Sequence, residues 1–304
     1  MAEPSEGGKH VKLTIGICAF NEERNIRQLL SDVLSQTNLP KDFQVIVVAS
    51  GCTDNTPAII REVAKEHDRV QLIEETKRSG KTGAINHILA KCESEVLALV
   101  DADIRLPRDC INEILRGFSD EEICVVGAAP VVANPEDGPV AESASIIWRV
   151  MSRALRELSM RGELSYVMGE MYCFRTRLVG KIPNEIVNDD AYVATRARSK
   201  GLKVILAPRA NFVTRVPSSI PDYVALRRRV TFGHAQIKAQ MGKFATSMEG
   251  MALEHTSTLM RAMIREAASR PSSIIRALLL LELEVVCISL ALLDLMVGRK
   301  HVIY

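Results

Sequence analysis

The 304-residue sequence predicts an α/β fold in which helices cover both faces of a mostly parallel β-sheet. Two observations lead to this prediction. Apolar runs rich in β-branched residues alternate with helical stretches through the first two-thirds of the chain, and such alternation is typical of parallel sheets. Turn-forming and helix-capping residues follow the runs, so each run can lead into a helix.

The predicted strands and helices follow one another in a regular order. A helix capped by Asn21 follows the first strand and continues to about Leu34. The turn GCTDNT after the second strand leads into a helix over 57–67, and later helices begin near Thr82 and Pro107. The predicted strands are KLTIGICAF, FQVIVVAS, VQLIEE, VLALVDAD and ICVVGAAPVV, at 12–20, 43–50, 70–75, 96–103 and 123–132.

One edge of this sheet is expected to carry the functional site. Ligands of open α/β sheets bind outside the carboxyl ends of the strands. The segments at those ends are Ala19–Glu22, Ala49–Asp54, Arg78–Lys81 and Asp101–Asp103. We therefore expect the side chains of these four segments to lie close together.

The composition argues against several classes of protein. A net charge of +2 and 4% aromatic residues give no reason to expect nucleic-acid binding. The seven cysteines are odd in number and form no C-x-x-C pair, which favours buried thiols in a reducing compartment over disulfides or a zinc site. Residues 1–10 lack the apolar core of a signal peptide and are expected to be disordered, with the main body of the protein cytoplasmic.

The segment KRSGKTGAIN tests the hypothesis of an NTPase. Gly80-Lys81-Thr82 resembles the end of a phosphate-binding P-loop, and the apolar run that ends at Asp101 resembles the metal-binding strand of such proteins. A P-loop needs a glycine five positions before Gly80, where the backbone turns around the phosphate. Glu75 occupies that position, and its carboxylate would repel the phosphate. A P-loop NTPase therefore remains only as the alternative class.

Asp101-Ala102-Asp103 is the strongest chemical signal at the predicted edge. Two carboxylates at positions i and i+2 can bind a divalent cation whose other ligands are phosphate oxygens. A solvated turn explains an isolated pair of this kind equally well. Lys81 favours the metal site, because its ammonium group could neutralise a diphosphate at the same edge.

Six segments, in this order, resemble those of the family-2 glycosyltransferases, which have the GT-A fold. ICAFNEERNI resembles the family's opening strand and Asn-Glu turn, VVASGCTDNT its V-V-D-D-G-S-x-D-x-T segment, and RSGKTGAIN its G-K-x-x-A-x-N. VDAD resembles the metal-binding D-x-D, MGEMYCFR the glycine-containing strand before a helix, and NDDAYVATRARSKGLKV the acidic block that supplies the base. The resemblance covers about 11–215 and extends to membrane-bound cellulose-synthase-like and polyprenol-phosphate-linked sugar transferases.

The resemblance implies roles for individual residues. An inverting transfer needs a base for the proton of the acceptor hydroxyl and a Lewis acid for the departing nucleoside diphosphate. Asp190 matches the base, while Asp101 and Asp103 match the ligands of Mn²⁺ or Mg²⁺. From the residues alone, 188–190 could instead be a helix cap followed by acids that suit the helix dipole. The residues implied to bind the nucleotide sugar are Ala19, Phe20, Glu22, Asp54, Lys81, Asp101, Ala102, Asp103 and Arg229; Glu22 and Asp54 could instead satisfy the first turns of their own helices.

The chain departs from the family pattern at two places. The family often has Asp-Asp where residues 49–50 are Ala-Ser, so one carboxylate that could recognise the nucleotide base is absent. Polymer-making members carry Q-x-x-R-W where this chain has Leu226, Arg229 and Val230 at the matching positions. Arg229 can still bind a diphosphate, but the aromatic platform for a growing chain is missing. A single transfer is therefore expected rather than polymer synthesis.

The chain after the predicted catalytic domain at 11–220 is expected to contact a membrane. Residues 221–271 are predicted to form basic and amphipathic helices at the interface. Within them, Arg227 and Arg228 could form a solvated or lipid-facing basic surface. The helix predicted at 251–270 could lie in the bilayer interface or pack on the enzyme. Its apolar face comprises Leu253, Leu259, Met260, Met263, Ile264 and Ala267, set against Arg261 and Arg265.

Residues 272–304 are predicted to contain a transmembrane helix. The apolar run at 277–297 is long enough to cross a bilayer, which takes about twenty residues. Glu282, Glu284 and Asp294 interrupt it, and an acid without a partner at the midplane costs about 2.5–3.5 kcal/mol on insertion scales. Insertion is favoured over a buried or dimerising helix, provided that these acids have protein or aqueous partners.

The resemblance and the C-terminal pattern together predict a metal-dependent inverting glycosyltransferase. It is expected to move a hexose from a nucleotide sugar to a polyprenyl-phosphate-linked or other lipid acceptor at the cytoplasmic face of the cell membrane. GDP-mannose is the favoured sugar donor, in view of the missing carboxylate at Ala49 and the lipid-linked members that the chain resembles. A UDP-hexose, used in glycolipid or polysaccharide synthesis, is the alternative donor.

Overall fold

The computed structural model describes residues 12–270 and 273–299, and for 273–281 it describes the backbone alone. The predicted disordered segment at 1–10 lies outside the described residues. The first half of the fold consists of β1 (Leu13–Ala19), α1 (Ile26–Leu34), β2 (Gln44–Ser50), α2 (Thr56–Glu66), β3 (Val70–Glu75), α3 (Gly80–Lys91), β4 (Val96–Asp101), α4 (Cys110–Leu115) and β5 (Ile123–Val132). The second half consists of α5 (Pro139–Met160), β6 (Met171–Arg175), α6 (Asp189–Ser199), β7 (Lys203–Thr214), α7 (Ile220–Met241), α8 (Met248–Glu254), α9 (Thr256–Ser269) and α10 (Ser273–Met296).

The described strands form one seven-stranded sheet in the order β3-β2-β1-β4-β6-β5-β7. Its neighbouring strands are parallel except where β6 pairs with β4 and with β5. The predicted mostly parallel α/β sheet is therefore confirmed. The sequence indicates a strand in MGEMYCFR but gives no sign that this strand, β6, is reversed and inserts between β4 and β5.

The centre of the sheet is covered on both faces. All six residues of β2 after Gln44 are buried, and successive side chains of a strand point to opposite faces. Gly16 of β1 shows how closely one helix packs. A Cβ atom at this position would lie 2.8 Å from Ile88 of α3, so glycine lets α3 pack directly against the strand.

The strand register brings the predicted edge segments together. Ala19 at the end of β1 pairs with Ala49 of β2, and Cys18 pairs with Asp101 at the end of β4. The entry to β6 joins them from the opposite direction, because the Asp101 N–H donates a hydrogen bond to the Glu170 carbonyl oxygen at 2.9 Å. The end of β4 thus lies beside the segment before β6.

Two arginines of α7 bind acids of α10 instead of facing solvent or lipid. Arg227 is 6% exposed and donates to both carboxylate oxygens of Glu284 at 2.8 Å. Arg228 donates to Asp294 at 2.5 Å. The expected basic surface at these two residues is therefore wrong, since their charges hold α10 against α7.

The face of α10 opposite Glu284 and Asp294 is exposed and mostly apolar, with the exposed Glu282 among its residues. Among the described residues, no helix is long and apolar enough to cross a membrane, so the span predicted within 272–304 is not confirmed. The exposed face repeats with the helical period and includes Val285, Val286, Leu292, Leu293 and Met296.

The predicted amphipathic helix is divided between α8 and α9, and its apolar face is only partly buried. Leu259 packs into the core, whereas Met260, Met263 and Ile264 are exposed. The deeply buried charged residue of α9 is Glu266, which accepts a hydrogen bond from Arg149 of α5 at 2.6 Å. Helix α9 packs on the rest of the protein through a mixed surface and leaves apolar side chains on the outside.

Candidate active site

Two cavities lie side by side at the edge where β1, β2 and β4 end. The first has a volume of about 470 Å³ and lies between the ends of these strands and α7. The second has a volume of about 220 Å³ and lies between α5, α6 and α7. Their shared wall is formed by Lys81, Asp101, Asp103, Val187, Leu226 and Arg229.

The first cavity collects eight of the nine residues that the sequence predicts for binding a nucleotide sugar: Ala19, Phe20, Glu22, Lys81, Asp101, Ala102, Asp103 and Arg229. Asp54 lines neither cavity. Its carboxylate accepts hydrogen bonds from the backbone N–H groups of Glu23 at 3.1 Å and of Thr56 at 3.0 Å. Asp54 thus fixes the turn before α2, which is the structural role that the sequence left open for it.

Lys81 is the cation at the junction of the two cavities. Its Nζ lies 2.7 Å from Asp101 Oδ1 and 3.6 Å from Asp189 Oδ1, and it donates to the Gly169 carbonyl oxygen at 3.2 Å. Burial lowers the pKa of Lys81, but the charges of Asp101 and Asp189 outweigh it and raise the pKa above its usual value. The side chain is therefore a fixed ammonium group beside both cavities.

Asp189 and Asp190 begin α6, and they occupy different surroundings. Asp189 is 2% exposed and accepts a hydrogen bond from the Tyr172 hydroxyl at 2.7 Å. Both acids line the second cavity, and Asp190 is 7% exposed. Asn188 is at the N-cap position, but its side chain makes no cap hydrogen bond and instead donates to the Val230 carbonyl oxygen at 2.9 Å. The cap explanation for this segment is therefore wrong for Asn188.

Asp190 packs directly against Gly169. A Cβ atom at Gly169 would lie 2.9 Å from Asp190 Oδ2, so a larger residue there would displace the carboxylate. Burial, followed by repulsion from Asp189, raises the pKa of Asp190 from 3.8 to about 6. A carboxylate with this pKa is ionised at neutral pH and is more basic than an exposed one, as a general base requires.

Comparison with known proteins places this site in a family. The family model described as glycosyl transferase family 2 matches residues 14–182, which is more than half of the chain and includes Lys81, Asp101 and Asp103. The chain belongs to glycosyl transferase family 2. The predicted family membership is confirmed.

Curated relatives of this family-2 chain include sugar transferases and sugar-lipid synthases. The β-monoglucosyldiacylglycerol synthase of Nostoc sp. is 28% identical over 143 residues, which span 45% of this chain and 31% of the synthase. Glycosyltransferase AglE of Haloferax volcanii is 23% identical over 230 residues, which span 75% of this chain and 74% of AglE. The chain thus matches less than a third of the length of the first relative and about three-quarters of the second.

A solved structure shares the fold of this family-2 chain. It is that of the mannosyltransferase PcManGT from Pyrobaculum calidifontis in complex with GDP-Man and Mn²⁺, at a TM-score of 0.69 and 21% identity. The superposition covers 98% of this chain and 92% of that one. The predicted GT-A fold is confirmed.

The acids of the shared wall fit a divalent cation that also binds oxygens of a substrate. Burial raises the pKa of Asp101, and repulsion from Asp103 raises it further against the opposing charge of Lys81. Burial and the charges of the same two acids raise the pKa of Glu22. Within the described ranges, no group of three or more His, Cys, Asp or Glu side chains is placed to hold a metal ion. Phosphate oxygens would therefore have to complete the coordination of a cation bound by Asp101 and Asp103.

Sequence reasoning missed several residues of the site. The Arg78 guanidinium lies 3.4 Å from the centre of the Phe20 ring, and both residues line the first cavity. Glu170, which lines the second cavity, has its pKa raised to about 7 by burial and by the charge of Asp101. The signal for Glu170 was its position as an acid inside the apolar segment MGEMYCFR. His234 ends the segment YVALRRRVTFGH and also lines the second cavity.

Proposed function

We propose that this protein is a metal-dependent inverting glycosyltransferase, which binds a nucleotide sugar in the first cavity and a lipid or lipid-linked acceptor in the second. The observation that carries the proposal is the shared wall, where Lys81, Asp101 and Asp103 face both cavities while Asp190 lines only the second. A diphosphate bound at that wall would present its sugar to the second cavity, which Asp190 lines.

Each charged group of the wall has a task in this reaction. Asp101 and Asp103 hold Mn²⁺ or Mg²⁺, which supplies a Lewis acid for the leaving nucleoside diphosphate. Lys81 and Arg229 bind the diphosphate oxygens and stabilise the negative charge that develops on them. Asp190 accepts the proton of the acceptor hydroxyl while the hydroxyl oxygen attacks the anomeric carbon. The bond from that carbon to the phosphate oxygen breaks, and the configuration at the carbon inverts.

GDP-mannose is the proposed sugar donor, and a UDP-hexose is the alternative. Two observations support this choice. The GT-A structure with a similar fold contains GDP-Man and Mn²⁺. Ala49 is buried at the end of β2 where a carboxylate of the family could recognise the nucleotide base. The Arg78–Phe20 pair offers a planar cationic surface for that base.

The proposed acceptor is a polyprenyl-phosphate-linked sugar or another lipid at the cytoplasmic face of the cell membrane. The relative from Nostoc is named for a diacylglycerol product. Helices α9 and α10 expose large apolar side chains, among them Ile264 at 61% and Met296 at 84%. Exposed apolar faces of this kind favour attachment to a bilayer surface, where a lipid acceptor is found.

Nucleotide selectivity tests the proposed function. The melting temperature is measured with GDP or UDP in Mn²⁺ and with ATP in Mg²⁺, and release of the nucleotide is measured with GDP-mannose and UDP-glucose. We expect stabilisation by GDP with Mn²⁺ and turnover of GDP-mannose, both abolished by Asp103→Ala. Stabilisation by ATP alone would instead support the NTPase class. Full turnover in excess EDTA would show that the reaction needs no divalent cation.

A further inference from the structure

A buried group of charged side chains lies on one face of α7, beside the second cavity. Arg227, Thr231 and His234 recur on this face at the helical spacing, and all three bind the Glu249 carboxylate of α8. The three distances are 2.9, 3.0 and 2.9 Å in that order, and none of the three α7 residues is more than 6% exposed. The proposed reaction gives no task to His234 or Glu249, although His234 lines the cavity.

Glu249 favours a positive charge on His234. Burial opposes ionisation of Glu249, but the charges of His234 and Arg227 hold its pKa well below the usual range. Its carboxylate is therefore ionised, and one oxygen lies 2.9 Å from Nδ1 of the imidazole ring. An anion at this distance stabilises the protonated ring, and burial reduces the screening of that charge by solvent.

The second ring nitrogen of His234 lacks a partner of its own. A protonated imidazole carries a hydrogen on both nitrogens, and Nδ1–H donates to Glu249. Nε2 is buried and has no hydrogen-bond partner among the described residues. Buried polar groups are nearly always compensated in folded proteins. The side of the ring that bears Nε2 therefore calls for a nearby negative charge.

Close packing of α7 against the start of α6 brings such a charge to the same place. A Cβ atom at Gly233 would lie 2.4 Å from Cγ of Asn188, so only glycine permits this approach. The Asn188 side chain also donates to the Val230 carbonyl oxygen at 2.9 Å. These contacts fix the part of α7 that carries His234 beside the first turn of α6, which carries Asp190. Both side chains line the second cavity.

The charge of His234 acts on Asp190 among groups of both signs. Burial and repulsion from Asp189 raise the pKa of Asp190, whereas the charges of His234 and Lys81 lower it. Lys81 is paired with Asp101, but the acid bound to His234, Glu249, lines neither cavity. The titratable groups that act on Asp190 or respond to it are Asp189 on α6, His234 on α7, Lys81 on α3, Tyr172 on β6, and Tyr166 and Glu170 on the segment before β6.

We propose that His234, held as an imidazolium by Glu249, is a positioning residue that keeps the carboxylate of Asp190 ionised and in place. This inference rests on the proposed function, because it assigns a partner to the proposed base. His234 acts through Asp190 and takes no proton from the acceptor. Loss of its charge leaves Asp190 with more repulsion than attraction, so less of the base is ionised at a given pH.

The ionisation of Asp190 in the full chain tests the inference. NMR of protein with labelled aspartate carboxyl groups follows the titration, and Asp190→Asn identifies the signal of Asp190. We expect His234→Gln to raise the midpoint of that signal by about one pH unit, because a neutral amide replaces the cation. His234→Lys keeps a cation and should hold the midpoint near the wild-type value. Thr231→Val is the matched control, because it removes one hydrogen bond to Glu249 and changes no charge.

Release of nucleotide from GDP-mannose with Mn²⁺ gives a second readout. The pKa of Asp190 is about 6 in the wild type, so a raised midpoint lowers the ionised fraction only in acid. We expect kcat/KM of His234→Gln to be about tenfold below the wild type at pH values under 6 and to approach it near pH 8. A defect that is merely structural would lower the rate equally at every pH.

Three results would overturn the inference: the Asp190 midpoint is unchanged in His234→Gln, it moves as far in Thr231→Val, or every histidine ring of the wild type is neutral at pH 7 by nitrogen NMR. The last measurement needs no variant, so it stays decisive if His234→Gln does not fold, which melting temperatures detect. Turnover of Asp190→Asn separates the two proposals. If it equals the wild type, the proposed base fails; if it is lost while the midpoint ignores His234, only this inference fails.

Discussion

At the scale of single residues, neighbouring acids have different properties because their surroundings differ. Asp189 is held by Tyr172 and lies near Lys81, whereas Asp190 packs against Gly169, which brings no side chain. Their order in the sequence shows only that two acids begin a helix. The contacts of Asp189 with Tyr172 of β6 and Lys81 of α3 leave Asp190 as the proposed base.

The Asp190→Asn variant is expected to bind the sugar nucleotide normally and to lose most of its turnover. The amide keeps the size of the carboxylate but cannot take a proton, and a general base usually contributes about 10²–10⁴-fold to the rate. The fall should therefore appear in kcat, with little change in the affinity for GDP measured by titration. Normal kcat in this variant would show that the acceptor needs no base. Asp68→Asn, a change on the exposed surface, serves as the control.

The pH profile of the wild type should report the same group. The pKa of Asp190 is raised to about 6 from 3.8, and the base acts only when it is ionised. We therefore expect kcat/KM to fall about tenfold for each pH unit below about 6 and to level off above it. A profile that stays flat down to pH 5 would contradict the assignment of Asp190 as the base.

At the scale of secondary-structure elements, the approach of β6 to α6 is as important as the acids themselves. Gly169→Ala adds one methyl group 2.9 Å from Asp190 Oδ2. The carboxylate must move, and small displacements of a catalytic group can cost about 10²-fold in rate. Gly180→Ala is the matched control, since a Cβ atom there meets nothing within 4 Å. Steady-state kinetics of the two variants should differ in kcat, and equal values would contradict this role of Gly169.

The contact between α7 and α10 gives a second prediction at this scale. Glu284 accepts from Arg227 and is nearly buried, whereas Glu282 on the same helix is exposed. Glu284→Gln leaves the buried Arg227 with a weaker partner, so we expect about 1–3 kcal/mol less free energy of unfolding in urea. Glu282→Gln should change it by about 0.5 kcal/mol or less. Similar values for the two variants would show that the Arg227–Glu284 pair adds no stability.

The sequence predicted elements whose signal is local and missed those that depend on packing. The apolar runs of β1, β2 and β4 determine their own strands, and the shared direction of those strands aligns Asp101 with the end of β1. The partners of Arg227 lie 22 and 57 residues away along the chain, and no local pattern links them. The apolar residues of α9 were assigned to one contacting face, but the buried salt bridge of Glu266 with Arg149 turns part of that face outward.

At the scale of the whole molecule, charge holds α10 inward and leaves its apolar face outward. The pairs that α10 forms with α7 mean that deleting 272–304 would also expose Arg227 and Arg228, so a deletion cannot separate membrane attachment from stability. Substitutions on the outer face can separate the two, because they leave the ion pairs intact. Val286 and Leu293 are 48% and 51% exposed and lie away from those pairs.

The double variant Val286→Glu, Leu293→Glu is expected to lose binding to anionic vesicles while keeping its melting temperature. Two carboxylates on the outer face are costly in a bilayer interface but tolerated in water. Met160→Glu, at a position 82% exposed on α5, is the control for an apolar side chain on another helix. Co-sedimentation with vesicles containing phosphatidylglycerol makes the measurement, and undiminished binding of the double variant would show that α10 is not the contact.

The position of Lys81 makes the two halves of the reaction thermodynamically dependent on one another. One ammonium group neutralises Asp101 and approaches Asp189, and it also lowers the pKa of Asp190. A diphosphate that draws Nζ toward itself withdraws positive charge from the start of α6, which makes Asp190 a stronger base when the sugar has arrived. Linkage is reciprocal. If bound nucleotide changes the affinity for an acceptor whose hydroxyl contacts Asp190, the bound acceptor must therefore change the affinity for the nucleotide by the same factor.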